Sequence, residues 1–366
     1  MFYPLKFSPL YKDYLWGGSY FEKFGRKLPG PKIAESWEVS CHKHGESVVA
    51  NGAFEGRPLR SLIKEHGAGI LGRKLPVEYG EKFPLLVKLI DANEDLSIQV
   101  HPDDIFAREH ENGELGKNEM WYIIHAEPGA RIYRGLRDGL TKEDVRKALE
   151  EDDLFRILKD FPVQSGDAVY VDAGTIHAIG RGIVLVEVQQ NSDVTYRIHD
   201  YHRLDPSGKP RALHVDKALT VLNYACKSCK DKIAGLYDEI TPFHRIKYLI
   251  SNDYFTVEML EVEDEIYHST KGERFYIYTV VEGGCRIAAG DSRVDVKAGE
   301  SVFIPAGVDN YSMNGKFKAV RAYMSLYRNE LFDLLLKRGF TESEIRQAIA
   351  GYELEFCNFG AQMSGS

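Results

Sequence analysis

The sequence predicts a mainly β chain of two related β-barrels, with a short helical excursion in the first and helices at the C-terminal end. Two observations carry this. The first is a series of short runs rich in Val, Ile, Tyr and Phe: Phe83 to Ile90, Leu96 to Val100, Met120 to Ile124, Ala168 to Val171, Ile183 to Gln189, Phe255 to Val262, Phe275 to Val281, Arg286 to Ala288 and Ser301 to Ile304. Gly, Asp, Asn or Pro separate many of them, and short strands punctuated in this way build sandwiches or barrels. The second is an internal repeat. Gly166-Asp-Ala-Val-Tyr-Val-Asp-Ala-Gly-Thr-Ile-His177 aligns without gaps on Gly299-Glu-Ser-Val-Phe-Ile-Pro-Ala-Gly-Val-Asp-Asn310, and upstream Glu119 to Gly129 matches Arg274 to Gly284. Two copies of one β-unit imply two barrels rather than a solenoid.

In chain order, residues 1–240 are expected to form the first barrel, 241–328 the second and 329–366 a helical tail. Leu59 to His66 and Asp103 to His110 have helical spacing. Thr141 to Phe161 is charged and amphipathic, reads as two helices broken near Asp152, and accounts for the longer connection in the first copy. The tail should hold helices over Asn329 to Arg338 and Thr341 to Ala350. Gly339 suits the end of the first, Thr341 and Glu344 form a capping box for the second, and the final Ser-Gly-Ser should fray.

Composition narrows the function classes. The chain has 366 residues, 43% apolar and 28% charged, with a net charge of -8. A broad basic face for nucleic acid does not fit that balance, although a local cluster of Lys and Arg can still hold a small anion. No run approaches the roughly 20 apolar residues of a membrane span, and the first residues lack a signal-type apolar core. Five scattered cysteines favour a reducing compartment, so the chain reads as soluble and cytoplasmic. Cys226 and Cys229 form a C-x-x-C, but a structural zinc site needs a second ligand pair; they read as incidental thiols.

The first copy holds Gln99-x-His101, Glu119 and His177. Residues two apart on a strand face the same side, so Gln99 and His101 point together. Two imidazoles, a carboxylate and an amide oxygen suit zinc or another divalent ion, with room for a water or substrate. The alternative is that these histidines are satisfied core or surface residues. In the second copy the Glu119 position aligns with Arg274 and the His177 position with Asn310, so that barrel is expected to be metal-free and structural.

These blocks resemble cupin motifs, and more closely the type I mannose-6-phosphate isomerases in their compact bacterial form. The resemblance is carried by Ser97-Ile-Gln-Val-His-Pro-Asp-Asp104, Gly116-Lys-Asn-Glu-Met120, Gly174-Thr-Ile-His-Ala178, Gln190-Asn-Ser-Asp-Val-Thr-Tyr-Arg197, Tyr14-Leu-Trp-Gly-Gly18 and Glu35-Ser-Trp-Glu38. It runs from about Tyr14 to about Tyr327; the helices beyond depart from the compact pattern. The resemblance implies two cupin-like jelly-roll barrels and an aldose–ketose isomerase acting on a small sugar phosphate. It implies one divalent metal ion, zinc, held by His101, Glu119, His177 and Gln99, with Gln99 the ligand that some compact members do not keep. It also makes Arg197 a catalytic residue at the metal site, puts Lys117 and Glu187 in the pocket as acid/base candidates, and puts Ser97 on substrate oxygens. Lys117 and Arg197 are the further substrate-binding candidates. Such a reaction moves a proton between C1 and C2, and its enediolate needs electrostatic stabilisation. Arg197 can hold that charge but stays protonated.

Other motifs carry less. Gly67-Ala-Gly-Ile-Leu-Gly72 is formally G-x-G-x-x-G, but it follows a helical run where dinucleotide binding needs a strand. His199, His202 and His214 lack ligand spacing and read as polar residues near the cleft, and Trp16 and Trp37 as core or sugar-stacking residues. Two rival functions remain on the same architecture: an iron-dependent oxygenase, against which Ser97 and Lys117 speak, and a sugar-phosphate-binding or regulatory protein without turnover.

Overall fold

The computed structural model describes residues 2–75, 83–205, 207–224 and 230–352. Cys226, Cys229, Cys357 and the terminal Ser-Gly-Ser lie outside them. The fold is mainly β and cupin-like. In the first barrel a six-stranded sheet runs in the order Leu10–Lys12, Glu35–Val39, Leu85–Ala92, Ile183–Gln190, Glu119–Ala126, Ala168–Val171. A five-stranded sheet runs Tyr196–His199, Ile98–Val100, His177–Ile179, Arg131–Leu136, Leu158–Pro162. Sequence neighbours are seldom sheet neighbours, which is the jelly-roll pattern.

The second barrel is one curled nine-stranded sheet, seven strands in a row and two more paired to the long strand Tyr276–Ala289. The first half of that strand pairs with Ser301–Ile304 and Phe317–Tyr323, the second half with Ser292–Lys297 and Asn310–Asn314. Phe275 to Val281 and Arg286 to Ala288 are therefore one strand, continuous through the glycines between them.

The barrels pack back to back, which explains why the central strands read as near-continuous apolar runs. Along Leu85–Ala92, Leu85, Val87 and Leu89 join a core shared with Val257, Met259, Ile277 and Val320 of the second barrel. Ile90, Leu185 and Ile183 instead fill the first barrel. Alternation along a strand thus divides two apolar faces rather than an inside from an outside.

Several expectations are revised. Thr141 to Phe161 is not two helices. It holds one helix, Lys142–Glu150, with a Thr141/Asp144 capping box, then a single 3-10 turn and the strand Leu158–Pro162. The break at Asp152 is real, with φ +54°; where a second helix was expected, the chain pairs with Arg131–Leu136 and buries Leu158 and Phe161 in two different clusters. The strand Leu236–Thr241 pairs with His244–Ser251, so the second barrel begins before residue 240. The tail helices Glu330–Lys337 and Glu342–Ala348 bury Leu331, Leu335 and Ile345 in the second barrel's core; Thr341 and Glu344 cap the latter as expected.

The upstream repeat slips by two residues. Glu119 lies opposite Val171, and the aligned partner of Val171, Ile304, lies opposite Tyr276 rather than Arg274. Asn310 is exposed, and the buried side chain beside it is Tyr311. Where the first barrel has Glu119, the second therefore presents Tyr276.

Among the described residues no helix is long and apolar enough to cross a membrane. One buried carboxyl yields a stability prediction. Asp91 accepts the Tyr20 N–H at 2.7 Å, yet burial pushes its pKa up to about 6. The folded state then binds more protons than the unfolded between about pH 4 and 6, so stability falls as pH rises across that window. Asp91→Asn keeps the acceptor and is expected to remove the slope, gaining on the order of 2 kcal/mol above pH 6; urea denaturation from pH 4.5 to 7.5 measures it.

Candidate metal centre and cleft

Three ligand-type side chains converge inside the first barrel: His101 from the end of Ile98–Val100, Glu119 from the start of Glu119–Ala126 and His177 from the start of His177–Ile179. All three are essentially fully buried. Their ligand atoms lie within 4.8 Å of one another: His101 Nε2 is 3.2 Å from Glu119 Oε1 and His177 Nε2 is 3.7 Å from Oε2. The two loops that carry the imidazoles are tied together by the Gly174 N–H, which donates to the His101 carbonyl at 2.8 Å.

The tautomers follow from the partners. His101 Nδ1 is 2.8 Å from the Val194 carbonyl and His177 Nδ1 2.9 Å from the Thr175 carbonyl. A carbonyl only accepts, so each Nδ1 carries its proton and each Nε2 presents a lone pair inward. Neither ring can then donate to Glu119, and both carboxylate oxygens are buried without a hydrogen-bond partner. The Lys117 ammonium, 2.7 Å from Oε1, makes an ion pair rather than a directed bond. Burial lowers both imidazoles, His101 to about 3, which keeps them neutral. Two lone pairs and a buried carboxylate whose one partner is the Lys117 ammonium converge within 4.8 Å, a donor set that fits a divalent ion.

The Gly116-Lys-Asn-Glu motif is held rigidly. Asn118 donates through its backbone N–H and its side chain to Gln190 Oε1 at 3.0 and 2.7 Å, and its own Oδ1 accepts from Tyr170 and Ala173 at 3.0 Å. A Cβ on Gly116 would lie 2.5 Å from the backbone of Asp103, so only glycine brings Lys117 and Glu119 this close to the His101 loop.

Above the centre opens a cleft of about 310 Å³ lined by Ser97, Gln99, Lys117, Glu187 and Arg197. These five cleft residues singled out from the sequence are brought together here. Gln99 Nε2 is 3.3 Å from His177 Nε2. Lys117 Nζ is also 3.3 Å from His101 Nε2. Arg197 Nε donates to Ser97 Oγ at 3.3 Å and Nη1 to the Ala212 carbonyl at 2.9 Å, which fixes the guanidinium at the cleft wall.

Glu187 is fully buried and accepts from Trp121 Nε1 at 2.9 Å. Burial and the nearby Glu119 push its carboxyl up. Its other oxygen faces Lys88 Nζ at 3.0 Å, and Glu35 lies 3.6 Å beyond. Burial disfavours the Lys88 charge, but these two carboxylates outweigh it and hold the ammonium protonated.

Sequence reasoning missed Lys88 and Arg211, which also line the cleft. Lys88 carried a signal: it is the one cation in the run Leu85-Leu-Val-Lys-Leu-Ile-Asp-Ala92, and a charge inside an otherwise apolar strand must be paired. Arg211 sits in a polar loop beside Asp200 and carried none. Tyr14, Trp16, Glu35 and Asp193, all within quoted motifs, line the cleft as well, and so does His214. His199 and His202 do not; each pairs with Asp152 at 3.0 Å on the surface. Trp37 is core, its Nε1 donating to Glu35.

A buried two-histidine, one-carboxylate centre beneath a cleft lined by Lys88, Lys117, Arg197 and Arg211 in a jelly-roll barrel defines a cupin with a candidate metal site. Comparison with known proteins makes this specific. The family model for the phosphomannose isomerase type I catalytic domain matches residues 5–119, and that for the mannose-6-phosphate isomerase cupin domain matches residues 244–324. Mannose-6-phosphate isomerase ManA of Bacillus subtilis is 36% identical over 88% of this chain and 99% of its own length. A mannose-6-phosphate isomerase of Streptococcus mutans is 35% identical over 84% and 94%. The crystal structure of the mannose 6-phosphate isomerase from Bacillus subtilis superposes with a TM-score of 0.80 at 34% identity, covering 87% of this chain and 99% of that one. The chain belongs to the type I phosphomannose isomerase family.

Arg197→Ala is expected to leave metal content unchanged and to weaken substrate capture, raising KM about tenfold or more. Steady-state kinetics beside metal analysis checks this.

Proposed function

We propose that the chain is a cytoplasmic, metal-dependent isomerase that interconverts mannose 6-phosphate and fructose 6-phosphate through an enediol(ate). The observation that carries the reading is the buried Glu119 carboxylate facing two Nε2 lone pairs at the floor of a cleft walled by Lys117, Lys88, Arg197 and Arg211.

His101, Glu119 and His177 would hold one divalent ion. Gln99 would complete the set through its amide oxygen, which a half-turn of the amide brings to where Nε2 now stands. Nitrogen and oxygen donors of this kind suit zinc. When bound, the ion supplies Lewis-acid polarisation of the substrate's C1 and C2 oxygens. Ser97, Arg197 and Arg211 would receive oxyanions at the cleft wall, the guanidinium groups being fixed in charge and geometry. Lys117 and Glu187 are the acid/base pair: both are buried and line the cleft, and Glu187, its carboxyl pushed up, is the group poised to accept and return a carbon-bound proton. Trp121 and Lys88 orient it.

Coupled detection of fructose 6-phosphate formed from mannose 6-phosphate by the purified full chain tests this directly. Turnover is expected. A folded, metal-loaded chain that binds mannose 6-phosphate without converting it would instead favour a binding protein.

A further inference from the structure

The second barrel keeps a cavity where the first has its cleft, and the two are built from equivalent positions. In the first barrel Glu187 lies opposite Lys88 on one side and Trp121 on the other. At the same ladder positions in the second barrel Arg321 lies opposite Glu258 and Tyr278. The buried ion pair is retained with its charges exchanged: Arg321 donates through Nε to Glu258 Oε2 at 2.7 Å and also through Nη2, while Tyr323 donates to Oε1 at 2.6 Å. Around this pair opens a space of about 550 Å³, larger than the cleft of the first barrel.

The polar groups of this wall are out of balance. Its carboxylates are already engaged: Glu258 as above, Glu330 by Arg274 and the Leu326 N–H, Glu273 by Lys74, and Glu265 by the Tyr267 hydroxyl. Its imidazoles are not. The Nε2 atoms of His244 and His268, both lining the cavity, are buried without a hydrogen-bond partner, and His244 as a whole is only 7% exposed. Arg321 Nη1 faces His268 Nδ1 at 3.5 Å. A guanidinium only donates, so Nδ1 offers its lone pair and Nε2 carries the proton. The chain leaves that N–H, on a ring that lines the cavity, without an acceptor of its own. Burial and Arg321 also keep both rings neutral, and a guanidinium beside them disfavours a metal cation. Tyr276 and Tyr323, packed edge to face at 5.2 Å, add an aromatic wall of the kind that covers a hydroxylated ring. The first tail helix closes one side with Leu331, Leu334 and Arg338, and Arg338 is anchored on Asp238 at 2.7 Å.

We propose that this cavity is a second ligand site, taking a small hydroxylated metabolite with an oxyanion head, whose oxygens meet His268 Nε2, Arg321 and Arg274. The site stands on the second barrel's own walls and does not depend on the reaction assigned to the first. It gives the C-terminal helices a role as one wall of a binding pocket.

Isothermal titration of the metal-loaded full chain with 6-phosphogluconate, gluconate and inorganic phosphate tests it. The same titrations are run on Arg197→Ala, His268→Phe and Leu334→Trp. The Leu334 side chain is 42% exposed at the cavity mouth, so tryptophan there narrows the pocket without disturbing the core. Saturable binding is expected to survive Arg197→Ala and to weaken tenfold or more in both His268→Phe and Leu334→Trp, which keep mannose 6-phosphate turnover. Binding of phosphate without gluconate identifies a phosphate head, and gluconate without phosphate a carboxylate head; either supports the site. No saturable binding to the Arg197→Ala chain, or equal binding in wild type and both cavity variants, overturns it. If His268→Phe fails to fold, Leu334→Trp decides alone.

Discussion

His177→Ala is expected to strip the chain of bound metal and to lower turnover on the order of 10³-fold or more, while the barrel stays folded. The size of the effect follows from the geometry. His177 and His101 supply the two lone pairs, and Glu119 the carboxylate; removing one imidazole leaves an incomplete set in a buried pocket. The His177 ring is held in its ligating orientation by the Thr175 carbonyl at 2.9 Å. Elemental analysis of the purified variant, its kcat and its thermal midpoint separate the outcomes. A variant that keeps one equivalent of metal and loses turnover would move His177 from ligand to some other role.

The second large effect concerns the proton. Glu187→Gln or Lys117→Ala is expected to lower kcat by about 10² to 10⁴ with metal still bound, the usual contribution of a positioned acid or base. If both retain near-normal turnover, the acid/base assignment is wrong. Glu187 is also structural, because Lys88 would be left with Glu35 alone at 3.6 Å. Removing one partner of a buried ion pair costs about 3–5 kcal/mol, so the single variant should be less stable as well as slower. A Lys88→Met/Glu187→Leu double variant removes both charges and should regain stability without regaining turnover. Denaturant midpoints beside kcat distinguish the two roles.

The candidate site was more legible in the sequence than the boundaries of its elements. His101, Glu119 and His177 stood out because ligand residue types fell at turn and strand positions that repeat within the chain. Gln99 stood out by facing the same side of its strand as His101; Ser97, Lys117, Glu187 and Arg197 come through motif resemblance, and all five line one cleft. Lys88 is hard to see in the sequence because one cation barely disturbs the apolar pattern of a strand that is buried on both faces. The Thr141 to Phe161 segment failed for a different reason. Its amphipathic spacing spans the whole stretch, whereas the positive φ at Asp152 ends the helix and Leu158–Pro162 joins the five-stranded sheet as an edge strand. The two-residue slip of the repeat escaped because it preserves which face each side chain takes; only the hydrogen-bonded ladder shows it. The tail helices were visible by their caps, but where they pack is a matter of tertiary contact with no local signal.

The most direct measurement is fructose 6-phosphate formation from mannose 6-phosphate on the wild-type chain as purified, after chelation, and after zinc is added back, with metal content measured at each stage. Turnover that falls with metal removal and returns with about one equivalent of zinc is the predicted result. Full turnover by a folded chain shown to hold no metal would contradict the account.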